Sequence, residues 1–238
     1  FRDTIDRAIE LNTDRIVTFS YAHVPSVIPR QKVLDNIGFP SSDEKAQMYE
    51  ESYQKLIEAG YVSIGMDHYS KPDDEFAIAL KEKKLHRNFQ GYCTRETTGQ
   101  VYAFGASSIS QLDSAYIQNI KNASQYIKSI EKDNLAVLRG YSVNKDQKII
   151  REIINSIMCN YYVDIKSIAK KYNLQVSELY SLIKFKKDNL DDFIEDEILE
   201  FKQDIISVKE SGRLFTRNIA MRFDPLIDQK IGSYSNTV

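Results

Sequence analysis

Cysteine is scarce in this chain of 238 residues: there are two, Cys93 and Cys159, far apart in the sequence. Two isolated cysteines exclude a disulfide framework and suit a reducing, cytoplasmic setting in which both remain free thiols. They do not make a metal centre on their own. No run of about 18 apolar residues occurs, which excludes a transmembrane helix and membrane insertion by that route. A signal peptide is not expected either, because the chain opens on FRDTIDRAIEL, a charged amphipathic helix pattern. There is no initiator methionine either, so the chain is expected to start inside a longer protein. No sign of charge dominates: 32 Lys and Arg against 34 Asp and Glu leave a net −2, so nothing in the overall charge argues for nucleic acid or an anionic membrane as a partner, and no nucleic-acid partner is expected. Internal repeats and low-complexity tracts are absent. What remains has an ordinary globular balance, 42% hydrophobic and 28% charged. It is enough for a core and for one large domain or two small ones.

The first half alternates helix and strand patterns. Ile5, Ala8, Ile9 and Leu11 fall at helical spacing, and RIVTFSYAH follows as a β-branched and aromatic strand ending near Tyr21. The segment PSSDEKAQMYEESYQKLIEAG predicts a helix. Ser41 and Glu44 form a capping box, Ala46, Tyr49, Tyr53, Leu56 and Ile57 an apolar stripe, and Gly60 a stop. YVSIGMDHY reads as the next strand, PDDEFAIALKEKK as a helix with an acidic entry, and QVYAFGASSIS as a third strand. Strands alternating with helices predict parallel βα units. Near residue 144 the pattern changes. KDQKIIREIINSIMCNYY carries Ile149, Ile150, Ile153, Ile154 and Ile157 at helical spacing. Short helices over 164–172 and 176–185, a hairpin in EFKQDIISVKESG and a last helix in RLFTRNIAMRFD follow, in an order that resembles a winged helix. The expected division is therefore 1–144 and 145–238, although no Pro/Gly-rich linker marks it.

The polar chemistry lies in the first half. All three histidines are there, His23, His68 and His86. His23 and His68 each fall just past a predicted strand end, where loops of βα proteins carry chemistry. They read equally as structural hydrogen bonders, and spacing alone does not test a three-histidine zinc site. In GMDHY, Asp67 and His68 are neighbours in a predicted strand. They are expected to face opposite sides and not to form a dyad. FGASSIS removes bulk where a strand ends, which fits either a ligand's close approach or a tight turn. KLHRNFQGY, Lys84 to Tyr92, concentrates His86, Arg87, Asn88, Gln90 and Tyr92 around Phe89. That mixture of cation, amides, hydroxyl and ring suits a surface that holds a ligand, or else a loop that ties two domains together.

These segments also carry a resemblance. YAHVP (21–25), GMDHYSKPDDE (65–75), LHRNFQGYCT (85–94), FGASSIS (104–110) and GRLFTRNIAMRFD (212–224) occur in the same order in oxygen-independent coproporphyrinogen III oxidases. The likeness extends over essentially the whole chain. It implies a radical S-adenosylmethionine enzyme of heme synthesis. Such an enzyme has an incomplete parallel βα barrel followed by a mainly helical C-terminal domain. It carries a [4Fe-4S] cluster and binds two S-adenosylmethionine molecules. The implied reaction oxidatively decarboxylates two of the four propionates of coproporphyrinogen III to vinyls, giving protoporphyrinogen IX. By position, Ala22 and Ile109 match residues lining the cofactor sites, and both suit apolar or backbone contact rather than acid–base work. The family's C-x3-C-x2-C cluster motif and its Gly-rich stretch are not in this sequence. The resemblance thus implies the C-terminal half of the enzyme, with no catalytic residue or metal ligand of its own. It is expected to be inactive alone, without bound cofactor. The parent is expected to be a monomer, and the fragment to hide a strand edge that has lost its neighbour by self-association or by local rearrangement. For the substrate's carboxylates and ring, His86, Arg87, Asn88, Gln90 and Tyr92 are the expected contacts. The competing readings are a heme-binding or interaction protein related to the family, or a winged-helix binding module. A DNA-binding winged helix carries a basic face, whereas 145–238 holds DDFIEDEILE and is near charge balance.

Overall fold

A computed structural model describes residues 1–89, 91–94 and 100–225. The described chain forms two compact units, Phe1–Ile78 and Ala79–Pro225.

The first unit starts with helix α1 (Arg2–Glu10), whose Ile5 is buried. Strand β1 (Arg15–Val17), a 3-10 helix over Pro29–Asn36, helix α2 (Ser42–Glu58) and strands β2 (Val62–Gly65) and β3 (His68–Ser70) follow. The expected capping box starts α2: the Glu44 amide donates to Ser41 Oγ at 3.2 Å, and the Ser41 amide donates to Glu44 Oε2 at 2.8 Å. These contacts satisfy two amides that the helix leaves without partners. Gly60 follows the helix with φ +84°, a conformation glycine adopts at no steric cost. Ile5, Leu56, Tyr61 and Tyr69 form the unit's core. Arg15 bonds Asp74 and Glu75 at 2.8 Å each and lies 3.7 Å from the centre of the Phe76 ring. Helix α3 (Glu75–Lys81) follows, with the Phe76 amide donating to Asp74 Oδ1 at 2.7 Å, as its acidic entry predicts.

The strands depart from expectation. YVSIGMDHY is a hairpin rather than one strand, because the chain reverses at Met66, which takes φ +33°. Strand β3 then pairs antiparallel with both β1 and β2, in the order β1-β3-β2. The parallel pairing expected for this segment is therefore replaced by antiparallel pairing, since the unforeseen reversal inserts β3 between two strands that run the same way. RIVTFSYAH is a strand only over Arg15–Val17.

The second unit contains a hairpin of β4 (His86–Asn88) and β5 (Gly91–Cys93), and an antiparallel sheet of β6 (Ile109–Gln111), β7 (Ala115–Asn119) and β8 (Val137–Ser142), with helix α4 (Ala123–Ile130) before β8. Most of FGASSIS is a loop leading into β6. Ser108 Oγ donates to the Gly105 carbonyl at 2.7 Å, and Asn119 Nδ2 donates to the same carbonyl at 3.1 Å. Helix α5 (Lys145–Asn160) begins with a second capping box, Asn144 and Gln147, and ends at Tyr161 in the left-handed region, φ 55°. Then come β9 (Tyr162–Asp164), α6 (Ile165–Lys171), α7 (Val176–Leu182), α8 (Asp191–Glu195), β10 (Leu199–Lys202), β11 (Ile205–Val208) and α9 (Thr216–Met221). Strands β9, β10 and β11 make one antiparallel sheet in the order β10-β11-β9.

The core of this unit is organised by α5. Ile149, Ile153 and Ile157 recur every fourth residue on one helix face, and each is fully buried. They share the core with Ile165, Leu179, Leu190, Ile206, Ile219 and Phe223. Burying each isoleucine contributes roughly 1.5–3 kcal/mol relative to exposure. The opposite face of α5 is thereby left polar and turned away from the core. Mixed helix and sheet describes the whole.

Candidate functional site

The β4–β5 hairpin is fastened to the C-terminal end of α5. Leu85, 1% exposed, donates its amide to Asn160 Oδ1 and accepts from Asn160 Nδ2, both at 3.0 Å. Tyr92 is buried and its hydroxyl donates to the Met158 carbonyl at 3.5 Å. Arg87 and Tyr92 are directly opposite in the ladder, so their side chains share a face. The guanidinium accordingly lies 5.6 Å from the centre of the Tyr92 ring.

On the outside of this arrangement is a cleft of about 330 Å³, lined by Arg87, Asn88, Phe89, Gln111, Tyr116, Arg151 and Asn155. Its walls come from the hairpin, from β6 and β7, and from the polar face of α5. Gln111 and Tyr116 are paired across the β6–β7 ladder. Arg151 and Asn155 are four residues apart and so lie one turn apart on α5. Phe89 meets Tyr116 edge to face, with ring centres 5.3 Å apart. Arg151 is oriented by two neutral acceptors: Nη1 donates to Tyr116 Oη at 3.2 Å and Nη2 to the Asp113 carbonyl at 3.1 Å. The Asp113 carboxylate is engaged instead by Lys148 Nζ at 2.5 Å. That hydrogen bond holds its pKa below the usual carboxylate value.

The charge of the cleft is one-sided. Among the described residues two guanidinium groups line it and no carboxylate does. Among the described residues neither Arg87 nor Arg151 has an ion-pair partner. A cation without an ion-pair partner is poised for an anion, and planar guanidinium suits a carboxylate. The rings of Phe89 and Tyr116 add an apolar wall. The arrangement therefore fits a ligand that is anionic at its edge and apolar elsewhere.

The residues singled out from sequence divide accordingly. Arg87 and Asn88 line the cleft, together with Phe89. Tyr92 lies beneath it, buried against α5, and His86 is half-buried on β4 without lining it. Gln90 lies outside the described residues. Ala22 is exposed, and its carbonyl accepts from Gln31 Nε2 at 2.9 Å. Ile109 is half-buried on β6, opposite Gln118. Sequence reasoning missed Gln111, Tyr116, Arg151 and Asn155. The only local signal was the pair of polar residues on the outer face of the isoleucine-striped helix.

The histidines of the first unit have acidic partners. His23 Nε2 is 2.7 Å from Asp35 Oδ1, with the ring 4.4 Å from that of Phe39. His68 Nδ1 is 2.6 Å from Asp67 Oδ1. This corrects the expectation that Asp67 and His68 face apart: Asp67 is in the turn between β2 and β3, so strand alternation does not govern it. Cys159 is fully buried, and loss of solvent pushes its thiol up to about 12. Among the described residues no group of three or more His, Cys, Asp and Glu side chains is placed to hold a metal ion, and no helix is long and apolar enough to cross a membrane.

The helix-rich part that supplies Arg151 and Asn155 defines a class: residues 143–215 match the family model of the HemN C-terminal domain. Longer matches extend the likeness to the hairpin side of the cleft. Proteins named oxygen-independent coproporphyrinogen III oxidase are similar over nearly the whole chain. The one from Escherichia coli K12 is 37% identical over 235 residues, covering 97% of this chain and 50% of its own length. That from Salmonella typhimurium is 35% identical over 230 residues, with 97% and 50% covered. That from Thermostichus vulcanus is 35% identical over 238 residues, with 98% and 70% covered. The solved structure of coproporphyrinogen III oxidase from Escherichia coli, described as a radical SAM enzyme, superposes with a TM-score of 0.86 at 35% identity, over 94% of this chain and 51% of that one. This chain belongs to the oxygen-independent coproporphyrinogen III oxidase family. It spans about half the length of the Escherichia coli and Salmonella relatives.

Proposed function

We propose that this chain is the C-terminal half of a radical S-adenosylmethionine enzyme. That enzyme oxidatively decarboxylates two propionates of coproporphyrinogen III to vinyls, giving protoporphyrinogen IX, and the cleft of the second unit binds its substrate. The observation that carries this reading is the cleft itself. The hairpin in LHRNFQGYCT, one of the segments shared with the family, places Arg87, Asn88 and Phe89 on it. Substrate carboxylates would meet Arg87 and Arg151, the amides of Asn88, Gln111 and Asn155 would orient them, and Phe89 and Tyr116 would contact the macrocycle. His86 and Tyr92 are proposed to support this surface from within the hairpin, and Gln90 is proposed to contact the substrate.

The cluster does not fit this chain's residues. Three thiolates are needed and the sequence has two cysteines, one of them buried and protonated at neutral pH. Cluster ligands would come from the part of the longer relatives that this chain does not match. Ala22 and Ile109 are proposed contacts for S-adenosylmethionine, the molecule that would supply the hydrogen-abstracting radical; they offer apolar surface and main-chain groups.

In the same reading residues 1–144 are the C-terminal part of the barrel and 145–238 the helical domain. The start of the family match at residue 143 and the capping box at Asn144 support that division. The order helix, short strand, three helices and hairpin, with β9 beside β11, supports a winged-helix-like form. Parallel pairing would involve barrel strands outside this chain; β1 is an edge of its sheet and leaves one side for such a neighbour. A chain lacking that neighbour would use this edge to self-associate. The parent is proposed to be a cytoplasmic monomer without a nucleic-acid partner.

The test is anaerobic turnover by the full-length protein with S-adenosylmethionine, reductant and coproporphyrinogen III. Protoporphyrinogen IX is the expected product, and its absence from a cluster-loaded enzyme rejects the assignment.

A further inference from the structure

The cleft's two guanidinium groups, without ion-pair partners among the described residues, say which carboxylates it holds, given the reaction proposed above. Decarboxylation turns a –CH2–CH2–COO⁻ arm into –CH=CH2 and neutral CO2, with a hydrogen atom and an electron removed. The negative charge of a reacting arm is therefore lost on the way to product. An arginine bound to that carboxylate stabilises the ground state, and its grip weakens as charge leaves the oxygens. Such contact raises the barrier, because only interactions that strengthen toward the transition state accelerate a reaction. A fixed arginine is suited to a carboxylate that keeps its charge throughout.

Both cleft arginines are of this kind. Arg151 is held by Tyr116 Oη and the Asp113 carbonyl, two neutral acceptors, and among the described residues it forms no ion pair, feeling the Asp113 carboxylate only at longer range. The nearby Asp113 carboxylate is occupied by Lys148. Arg87 is placed against the Tyr92 ring, which orients it and also leaves its charge unneutralised. Two of the substrate's four propionates survive the reaction, and the cleft presents two such cations. We infer that Arg87 and Arg151 hold the two propionates that are not decarboxylated, and so bind substrate and product alike, anchoring the macrocycle while its other edge reacts. This assigns Arg151, on the C-terminal side of the chain, a substrate-binding role shared with the hairpin.

The experiment is equilibrium binding to the full-length protein under anaerobic, reducing conditions, without S-adenosylmethionine. The ligands are coproporphyrinogen III, with four carboxylates, and protoporphyrinogen IX, with two. Arg87→Ala and Arg151→Ala are each expected to weaken both ligands by the same factor, roughly tenfold or more. The corresponding lysine variants should recover part of the loss. If the variants weaken only the four-carboxylate ligand, the arginines hold the reacting arms and the inference is wrong. If neither ligand is affected, the cleft is not a carboxylate site, and the inference is equally overturned. Thermal unfolding identifies any variant that fails to fold. Should Arg151→Ala do so for want of its contacts to Tyr116 and Asp113, Arg87→Ala decides the matter by itself. The wild type separates the two levels of argument. Turnover with unchanged variant binding removes only this inference, whereas a wild type that neither binds nor converts the substrate removes the proposed function as well.

Discussion

Asn160→Ala should loosen the hairpin that carries half of the cleft. Asn160 closes a reciprocal pair with Leu85, accepting from its amide and donating to its carbonyl at 3.0 Å each. Leu85 is 1% exposed, so both main-chain groups lose their partner where water does not replace it well. Each orphaned buried group costs roughly 1–3 kcal/mol. Asn160 itself is half-buried, and some water will enter the space it leaves, so the sum is about 2–4 kcal/mol. Urea denaturation with an unchanged m-value is the assay. Asn155→Ala, on the same helix but facing the cleft, is the control and should stay within about 0.5 kcal/mol of wild type. Asn160→Asp keeps the acceptor for the Leu85 amide but sets a carboxylate against the Leu85 carbonyl, so it should be no better than alanine. Because Arg87 is on the released hairpin, Asn160→Ala should also weaken ligand binding, where the cleft still forms at all. An Asn160→Ala protein as stable as the Asn155→Ala control would refute the claim that this pair fastens the hairpin.

Gly212 has no room for a side chain: an added Cβ would lie 2.1 Å from the Ile198 carbonyl oxygen. Gly212→Ala should therefore cost about 3 kcal/mol through forced backbone displacement, visible as a lowered midpoint in thermal or urea unfolding. Cys159 should resist alkylation in the native state, since burial raises its thiol pKa from 9.0 to about 12, while half-buried Cys93 should be modified first; mass spectrometry of iodoacetamide-treated protein reads this directly. The sign of the linkage follows: the contribution is fully present below pH 9.0, and stability should fall as pH rises from there toward 12, with Cys159→Ala flattening that part of the profile. Anaerobic reconstitution of this chain alone with iron and sulfide should give no [4Fe-4S] spectrum and no deoxyadenosine, because two cysteines do not supply three thiolates; the full-length protein should give both.

The helices were largely legible because their start signals are local. Ser41 with Glu44 and Asn144 with Gln147 form the capping boxes that start α2 and α5, and the isoleucines of α5 announce the face that becomes the core. Strand pairing was not legible. GMDHY looks like the continuation of a strand, and only the reversal at Met66 turns it into a hairpin and brings Asp67 onto His68. Of the β6–β7–β8 sheet only the start of β6 was met, by the end of the expected QVYAFGASSIS strand; β7 and β8 escaped notice because they are half-buried or exposed and lack an apolar alternation. Half of the site was readable because Arg87, Asn88 and Phe89 are contiguous, and their variety is unusual for a connecting loop. Arg151 and Asn155 sit on the polar face of a helix, where such residues ordinarily meet water. The polar pair is the one local sign, and it does not tell a cleft from solvent, because their place in the cleft depends on β6 and β7 folding beside the same face.

A structure of the full-length protein with a bound tetracarboxylate porphyrin tests the central claim most directly. The macrocycle is expected against Phe89 and Tyr116, with one carboxylate on Arg87 and another on Arg151. A ligand bound with no contact to any of the seven residues lining this cleft would contradict it.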